Sequence, residues 1–321
     1  MFREFSKDMK LEEVITCWLP DKKRQVKESA FAAYCYTCSR VLLPAFGNLE
    51  VESIDKRKVR EFAYEQLETK LPKTVKGYLM VLKMIMKYAA EEYNIAIPSL
   101  DWNIVWPSDN LNSHKIERYT TKQVKTILEY AFKNPSNSAL ALIIALTTGM
   151  RIGEICALKF SDIDFEESVI HVTKTVARIA HITNMEANSK ISTKIVESTP
   201  KTKNSQRDVP IAPKVKKLLK AFMLISRPDY YVNSGSTKVI EPRTFRNNAA
   251  KLIRLSGVDH VLRFHALRHT FATTLIEQKV DPKTVSSILG HSDVSITLDL
   301  YIHPSEEAKK NAIAKGFKGI I

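Results

Sequence analysis

The feature that most constrains this chain is a break in its patterning. Between two long segments with apolar periodicity lies a polar, unpatterned run, Pro107-Ser-Asp-Asn-Leu-Asn-Ser-His114, with the composition of a linker. A chain of 321 residues is more than one ordinary core organises, because domains cluster around ~100–200 residues. The sequence therefore predicts two domains, one over residues 1–107 and one over 118–321, joined by a linker over 108–117.

The first segment reads as a small helical bundle. From Lys27 to Leu43 apolar and aromatic residues recur at helical spacing (Phe31, Tyr34, Cys35, Cys38, Val41, Leu42), and Pro44 with Gly47 is expected to end the run. Ser53 to Leu71 and Lys76 to Tyr93 repeat the pattern through Val59, Phe62 and Leu67, then Val81, Met84, Ile85 and Tyr88. In the second segment Thr120 or Thr121 caps a helix Lys122 to Phe132, and Ser136 or Ser138 starts another through Leu140, Leu142, Ile143 and Leu146. Strand character follows at Val169 to Val172 and again at Arg207 to Ile211, with a long polar insertion from Ala177 to Glu197 between them in an expected three-stranded sheet. Helices resume from Pro213, over Thr244 to Leu255, His265 to Gln278 and Pro282 to Leu289, with one more amphipathic stretch from Ser305 to Lys315. The fold class expected is mainly α with a small β-sheet.

Charge narrows the partners. Forty-nine Lys and Arg against thirty-five Asp and Glu give a net charge of +14, the balance of proteins that neutralise phosphate backbones. No signal-peptide pattern is visible at Met1 to Lys10, and no stretch reaches the ~18 apolar residues of a membrane span. The reading is a cytoplasmic protein with no membrane partner. Four cysteines, Cys17, Cys35, Cys38 and Cys156, fit a reducing compartment. Cys35 and Cys38 form a C-x-x-C without a second such pair, which favours two thiols near one helix face over a zinc or redox site.

The chemistry-bearing residues stand in four boxes: Thr148-Gly149-Met150-Arg151-Ile-Gly153-Glu154, His265-Ala-Leu-Arg268-His269, Leu289-Gly290-His291 and Thr297-Leu-Asp-Leu-Tyr301-Ile-His303. Transfer of a phosphodiester needs a nucleophile, a proton donor for the departing oxygen, and positive donors for the charge that grows on the non-bridging oxygens. Arg151 and Arg268 fit the last task, since a guanidinium is a planar fork that stays charged. His265, three residues before Arg268, shares its helix face and has the ordinary pKa for proton transfer. Alone, Arg151 and Glu154 at i, i+3 would be a surface ion pair; within the box Glu154 reads as a residue that orients a neighbour. Three histidines could in principle bind a metal, but paired arginines repel a cation, so neither metal nor cofactor is expected.

In order and spacing, including ten residues from His291 to Tyr301, these boxes resemble the tyrosine recombinase or phage-type integrase family. The resemblance implies a helical core-binding domain followed by an α+β catalytic domain. It implies Tyr301 as the nucleophile, forming a 3′-phosphotyrosyl link, His265 as base or phosphate donor, and His291 as a further donor. The run Thr199-Pro-Lys201-Thr-Lys203-Asn-Ser205-Gln-Arg207 resembles the one that carries the family's general acid; Lys201 matches best, with Lys203 the alternative two residues on. His269 and His303 are expected to pack or orient. The implied partners are double-stranded DNA attachment sites, held by a clamp of the two domains, and three further copies of the chain in a homotetramer. An accessory directionality factor is a further candidate partner. Arg243 and Arg246 are candidates for reading bases. A type IB topoisomerase, which shares the tyrosine and arginines, and a Xer-type chromosome dimer resolution recombinase are the alternatives that stay open at this point.

Overall fold

The structure is a computed structural model that describes residues 9–107, 117–181, 192–199, 205–291 and 293–298. It divides into two compact units, residues 1–113 with 179–194, and residues 114–178 with 195–321. The described elements are mainly helical with small antiparallel sheets.

The first unit is built on five helices, α1 (Leu11–Gln25), α2 (Glu28–Thr37), α3 (Leu43–Phe46), α4 (Lys56–Leu67) and α5 (Pro72–Tyr93). α1 precedes the first helix expected. Pro20 lies inside it and masks its pattern, while Leu11, Val14, Ile15, Trp18 and Leu19 form a buried stripe at helical spacing that carries it. α2 does not stop before Pro44. It passes through a π-helical turn, Cys38–Leu42, into α3, where Pro44 occupies the first turn and Gly47 follows the end. The wider turn accommodates a ring that would clash with the carbonyl one α-turn back. Cys35 and Cys38 are both buried in this core. Burial pushes the Cys35 thiol up to about 11 and the Cys38 thiol further up, so both pack as small apolar groups.

In the second unit, α6 (Thr121–Lys133) starts on a Thr120 capping box with Gln123, and α7 (Asn137–Thr148) on Ser136, whose hydroxyl accepts from Ala139 N at 3.2 Å. α7 is buried on nearly every side, from Ala139 to Leu146, between α6, α10 (Pro242–Leu255) and α11 (His265–Glu277). After the short α8 (Ile152–Ala157), strands β1 (Ile163–Asp164), β2 (Val169–Val172) and β5 (Arg207–Pro210) form an antiparallel sheet in the order β1-β2-β5, with Ile170 opposite Ile163 on one side and Val209 on the other. The segment expected to be a polar insertion in the three-stranded sheet instead supplies a second, two-stranded sheet, β3 (Thr175–His181) with β4 (Ser192–Ser198). Its β-branched residues, Val176, Ile179, Ile195 and Val196, are diluted by charged neighbours, which hides the strand signal. Helices α9 (Pro213–Met223), α12 (Pro282–Leu289) and α13 (Ser295–Leu298) complete the described part. The helix expected over Ser305 to Lys315 lies outside it. Among the described residues no helix is long and apolar enough to cross a membrane.

Candidate active site

The left-handed turn at Gly149 places the first arginine. Gly149 ends α7 at φ +63°, and a Cβ there would stand 2.5 Å from Phe271 Cδ1 and 2.7 Å from Leu289 Cδ2, so only glycine fits. The chain reverses and Arg151 becomes the N-cap of α8. Its backbone N–H donates to Glu154 Oε2 and its Nη1 to Glu154 Oε1, both at 2.8 Å. A carboxylate in the first turn of α8 also sits favourably in the helix dipole.

Arg268 lies in the first turn of α11 and is 5% exposed. Nη1 donates to the Gly149 carbonyl and Nη2 to the Leu289 carbonyl, each at 2.8 Å. Arg207, which opens β5, donates through Nε to the Ile288 carbonyl at 2.5 Å and through Nη1 and Nη2 to the two Glu154 oxygens at 3.2 and 3.0 Å. Arg151 Nη2 donates to the Gly290 carbonyl at 3.0 Å. Three consecutive carbonyls at the end of α12, those of Ile288, Leu289 and Gly290, thus hold one arginine each. Helix-terminal carbonyls lack intrahelical partners and carry the negative end of the dipole, so guanidiniums are their natural caps. Gly290 itself turns left-handed at φ +68°, which brings His291 to the same place.

The electrostatics favour an anion. Glu154, 3% exposed, is the carboxylate bonded to Arg151 and Arg207. Burial pushes its carboxyl up, but the hydrogen bond and charge of Arg207, with those of Arg151, hold it below the usual carboxylate range. Three guanidiniums against one carboxylate leave two positive charges in excess. His265 keeps an accessible edge, yet loss of solvent around its ring, then His269, Arg268 and Arg151, press its pKa down to about 4. His291 is brought to about 4 by burial and by Arg268, Arg151, His265 and Arg207. Burial and Arg268 lower His269 as well; its ring meets that of His265 edge to face, with centroids 4.6 Å apart. Arg268 is lowered to about 9 by burial and by Arg151, and so remains charged at neutral pH. Two neutral imidazoles among three cations are donors and proton acceptors waiting for negative charge.

The structure therefore brings Arg151, His265, Arg268 and His291 together, with Glu154 hydrogen-bonded to Arg151. Lys201, Lys203, Tyr301 and His303 lie outside the described residues. Arg243 and Arg246 are exposed on the first turns of α10. Two further residues carry the site without having been assigned a part in it. Arg207 closes the lysine run, and its signal was an arginine opening a β-branched strand. Thr297 is fully buried and holds His291 Nδ1 through Oγ1 at 2.8 Å; a threonine in a nucleophile box has no outward sign of that task. Among the described residues no group of three His, Cys, Asp or Glu side chains is placed to hold a metal ion.

A cationic cradle of anchored guanidiniums with proton-accepting imidazoles is the equipment of a phosphoryl-transfer site. Residues 117–308 match the phage integrase family, and residues 10–66 match the N-terminal SAM-like domain of phage integrases. A tyrosine recombinase described as XerC-like, from Caldanaerobacter subterraneus subsp. tengcongensis, is 33% identical over 82% of this chain and 70% of its own length. The chain belongs to the phage integrase family and is a tyrosine site-specific recombinase. Among solved structures, the Tn1549 transposon integrase in complex with transposon right end DNA shares the fold, with a TM-score of 0.72, 21% identity and coverage of 96% and 99% of the two chains. A lambda integrase tetramer bound to a Holliday junction gives a TM-score of 0.66 at 16% identity, over 94% of this chain and 81% of that one.

Proposed function

We propose that this recombinase integrates and excises a mobile element, cleaving double-stranded DNA by attack of Tyr301 on a phosphodiester held by Arg151, Arg268 and His291. The observation that carries this reading is the pair of uncompensated positive charges beside two neutral imidazoles. A phosphodiester arrives with one negative charge and its five-coordinate transition state has two, so the site is matched to the transition state more than to the ground state. The Tyr301 oxygen forms the new bond to phosphorus as its proton passes to His265, the P–O5′ bond breaks, and Lys201 gives a proton to the leaving oxygen. The 3′-phosphotyrosyl product retains the bond energy, and the reverse attack by a 5′-hydroxyl reseals the strand.

The likeness to a transposon integrase solved with transposon DNA supports the mobile-element reading, and that to a lambda integrase tetramer on a Holliday junction supports a homotetramer on DNA. The enzyme works on DNA in the cytoplasm. A nicked suicide substrate run on a denaturing gel tests the nucleophile: Tyr301→Phe abolishes the covalent complex while DNA affinity stays within about threefold, under ~1 kcal/mol. Covalent product from the Phe variant refutes it. A 5′-phosphorothiolate substrate, whose leaving group needs no proton, rescues Lys201→Ala and not Lys203→Ala if Lys201 is the acid.

A further inference from the structure

We infer that Thr297 is a positioning residue that fixes the tautomer of His291, keeping the imidazole proton on Nε2 so that the neutral ring donates to the phosphate. The inference rests on the placement of His291 at the phosphate proposed above.

A neutral imidazole carries one proton, on either nitrogen, and the partner of one nitrogen decides what the other presents. Here the partner of Nδ1 is Thr297 Oγ1, 2.8 Å away. Either group could be the donor, and the surroundings decide. Thr297 is fully buried, and a buried hydroxyl proton without an acceptor is disfavoured because it has lost its hydrogen bond to water. Other helical threonines here send that proton to the carbonyl four residues back, as Thr148 does to Ile144, Thr270 to Ala266 and Thr274 to Thr270, at 2.6 to 2.8 Å. Thr297 does not. Among the described residues its hydroxyl has only His291 as a partner. If Nδ1–H donated to Oγ1, the hydroxyl proton would have no acceptor among these residues. If the hydroxyl donates to Nδ1, both groups are satisfied and the ring proton stays on Nε2.

The consequence for an incoming anion is a change of sign. With the proton on Nδ1, the Nε2 lone pair would face phosphate oxygens and repel them; with it on Nε2, the ring is a donor without needing a second proton. That matters because the charged groups facing His291, Arg151, Arg207 and Arg268 together with His265, oppose an imidazolium before DNA binds. Thr297 also lies four residues before Tyr301, so the segment that carries the nucleophile carries the group that orients the histidine.

The test uses the full chain. Long-range nitrogen NMR of ¹⁵N-histidine protein at pH 7 reads the tautomer, with His291→Ala identifying its signal. Single-turnover cleavage of the nicked substrate reads the chemistry. The wild type shows Nε2–H; Thr297→Val shifts the signal toward a mixture and, with DNA affinity retained, slows cleavage by roughly 10- to 100-fold, less than the ~100- to 1000-fold of a donor removed outright, because a mixture retains part of it. Thr297→Ser restores both readings. An Nδ1–H signal in the wild type overturns the inference, as does wild-type cleavage by Thr297→Val when His291→Ala is impaired. Wild-type cleavage by His291→Ala overturns the placement of His291 at the phosphate, and the inference with it. If Thr297→Val does not fold, the wild-type spectrum and the Ser variant still decide.

Discussion

Replacing Glu154 with Gln removes one negative charge and almost no volume, so its cost reads the electrostatics of the site directly. Glu154 accepts four hydrogen bonds, from the backbone and Nη1 of Arg151 at 2.8 Å and from Nη1 and Nη2 of Arg207 at 3.2 and 3.0 Å. In Gln one oxygen becomes an NH₂ that faces donors. Arg151, with a side chain 38% exposed and the Gly290 carbonyl still available, can relax toward water. Arg207, 6% exposed, cannot. Breaking a buried pair by removing one partner costs about 3–5 kcal/mol, and loss of two charge-assisted hydrogen bonds at ~1.5–3 kcal/mol each gives a similar figure. For a domain of this size the midpoint should fall by roughly 6–20 °C, at about 2–4 °C per kcal/mol.

The pH dependence has a definite sign. The folded pKa of Glu154 lies below the ordinary value, with burial opposing the shift and Arg207 and Arg151 causing it. Its contribution is therefore fully present above the unfolded carboxylate pKa, and is lost as pH falls through the lower folded value. Urea titrations at pH 7 and 5 should show the full gap between wild type and Glu154→Gln, and titrations below about pH 4 a shrinking one. A variant within about 1 kcal/mol of wild type at pH 7 would refute the account of a single carboxylate holding two arginines in place.

Gly149→Ala combines a left-handed backbone at φ +63° with a Cβ 2.5 Å from Phe271 and 2.7 Å from Leu289. It should lose about 2–4 kcal/mol in a denaturant titration, from strain and overpacking together, and should impair cleavage more than DNA binding because the Gly149 and Leu289 carbonyls both hold Arg268. Proton uptake is the third measurable. His265 and His291 sit at about 4 in the free protein, and a bound phosphate raises that of His265. DNA binding near pH 6 should therefore take up protons, seen as a dependence of calorimetric heat on the buffer's ionisation enthalpy; identical heats in two buffers would count against it. Because these folded histidine pKa values lie below the unfolded one near 6.5, stability without DNA should also fall as pH drops from about 6.5 to 4.

Much of this was legible in the sequence. The helices declare themselves through periodicity and caps, as at Thr120 and Ser136, and four residues of the proposed phosphate site through boxes whose internal spacing places His265 and Arg268 on one face. The misses have physical causes. α1 was hidden by Pro20, the continuation of α2 by Pro44, and β3 and β4 by charges that interrupt their alternation; in each case packing outweighed local preference.

What the sequence determined by itself is which side chains are available for the proposed phosphoryl transfer and in what order. How they are held was decided by the tertiary structure. Arg151, Arg268 and Arg207 find their anchors 139, 21 and 81 residues away in sequence, on three successive carbonyls at the end of α12, and Glu154 meets Arg207 across 53 residues. Carbonyls are the same at every position of a chain, so no residue type marks the ones that will matter. Only the fold, by ending α12 beside α8, α11 and β5, selects them.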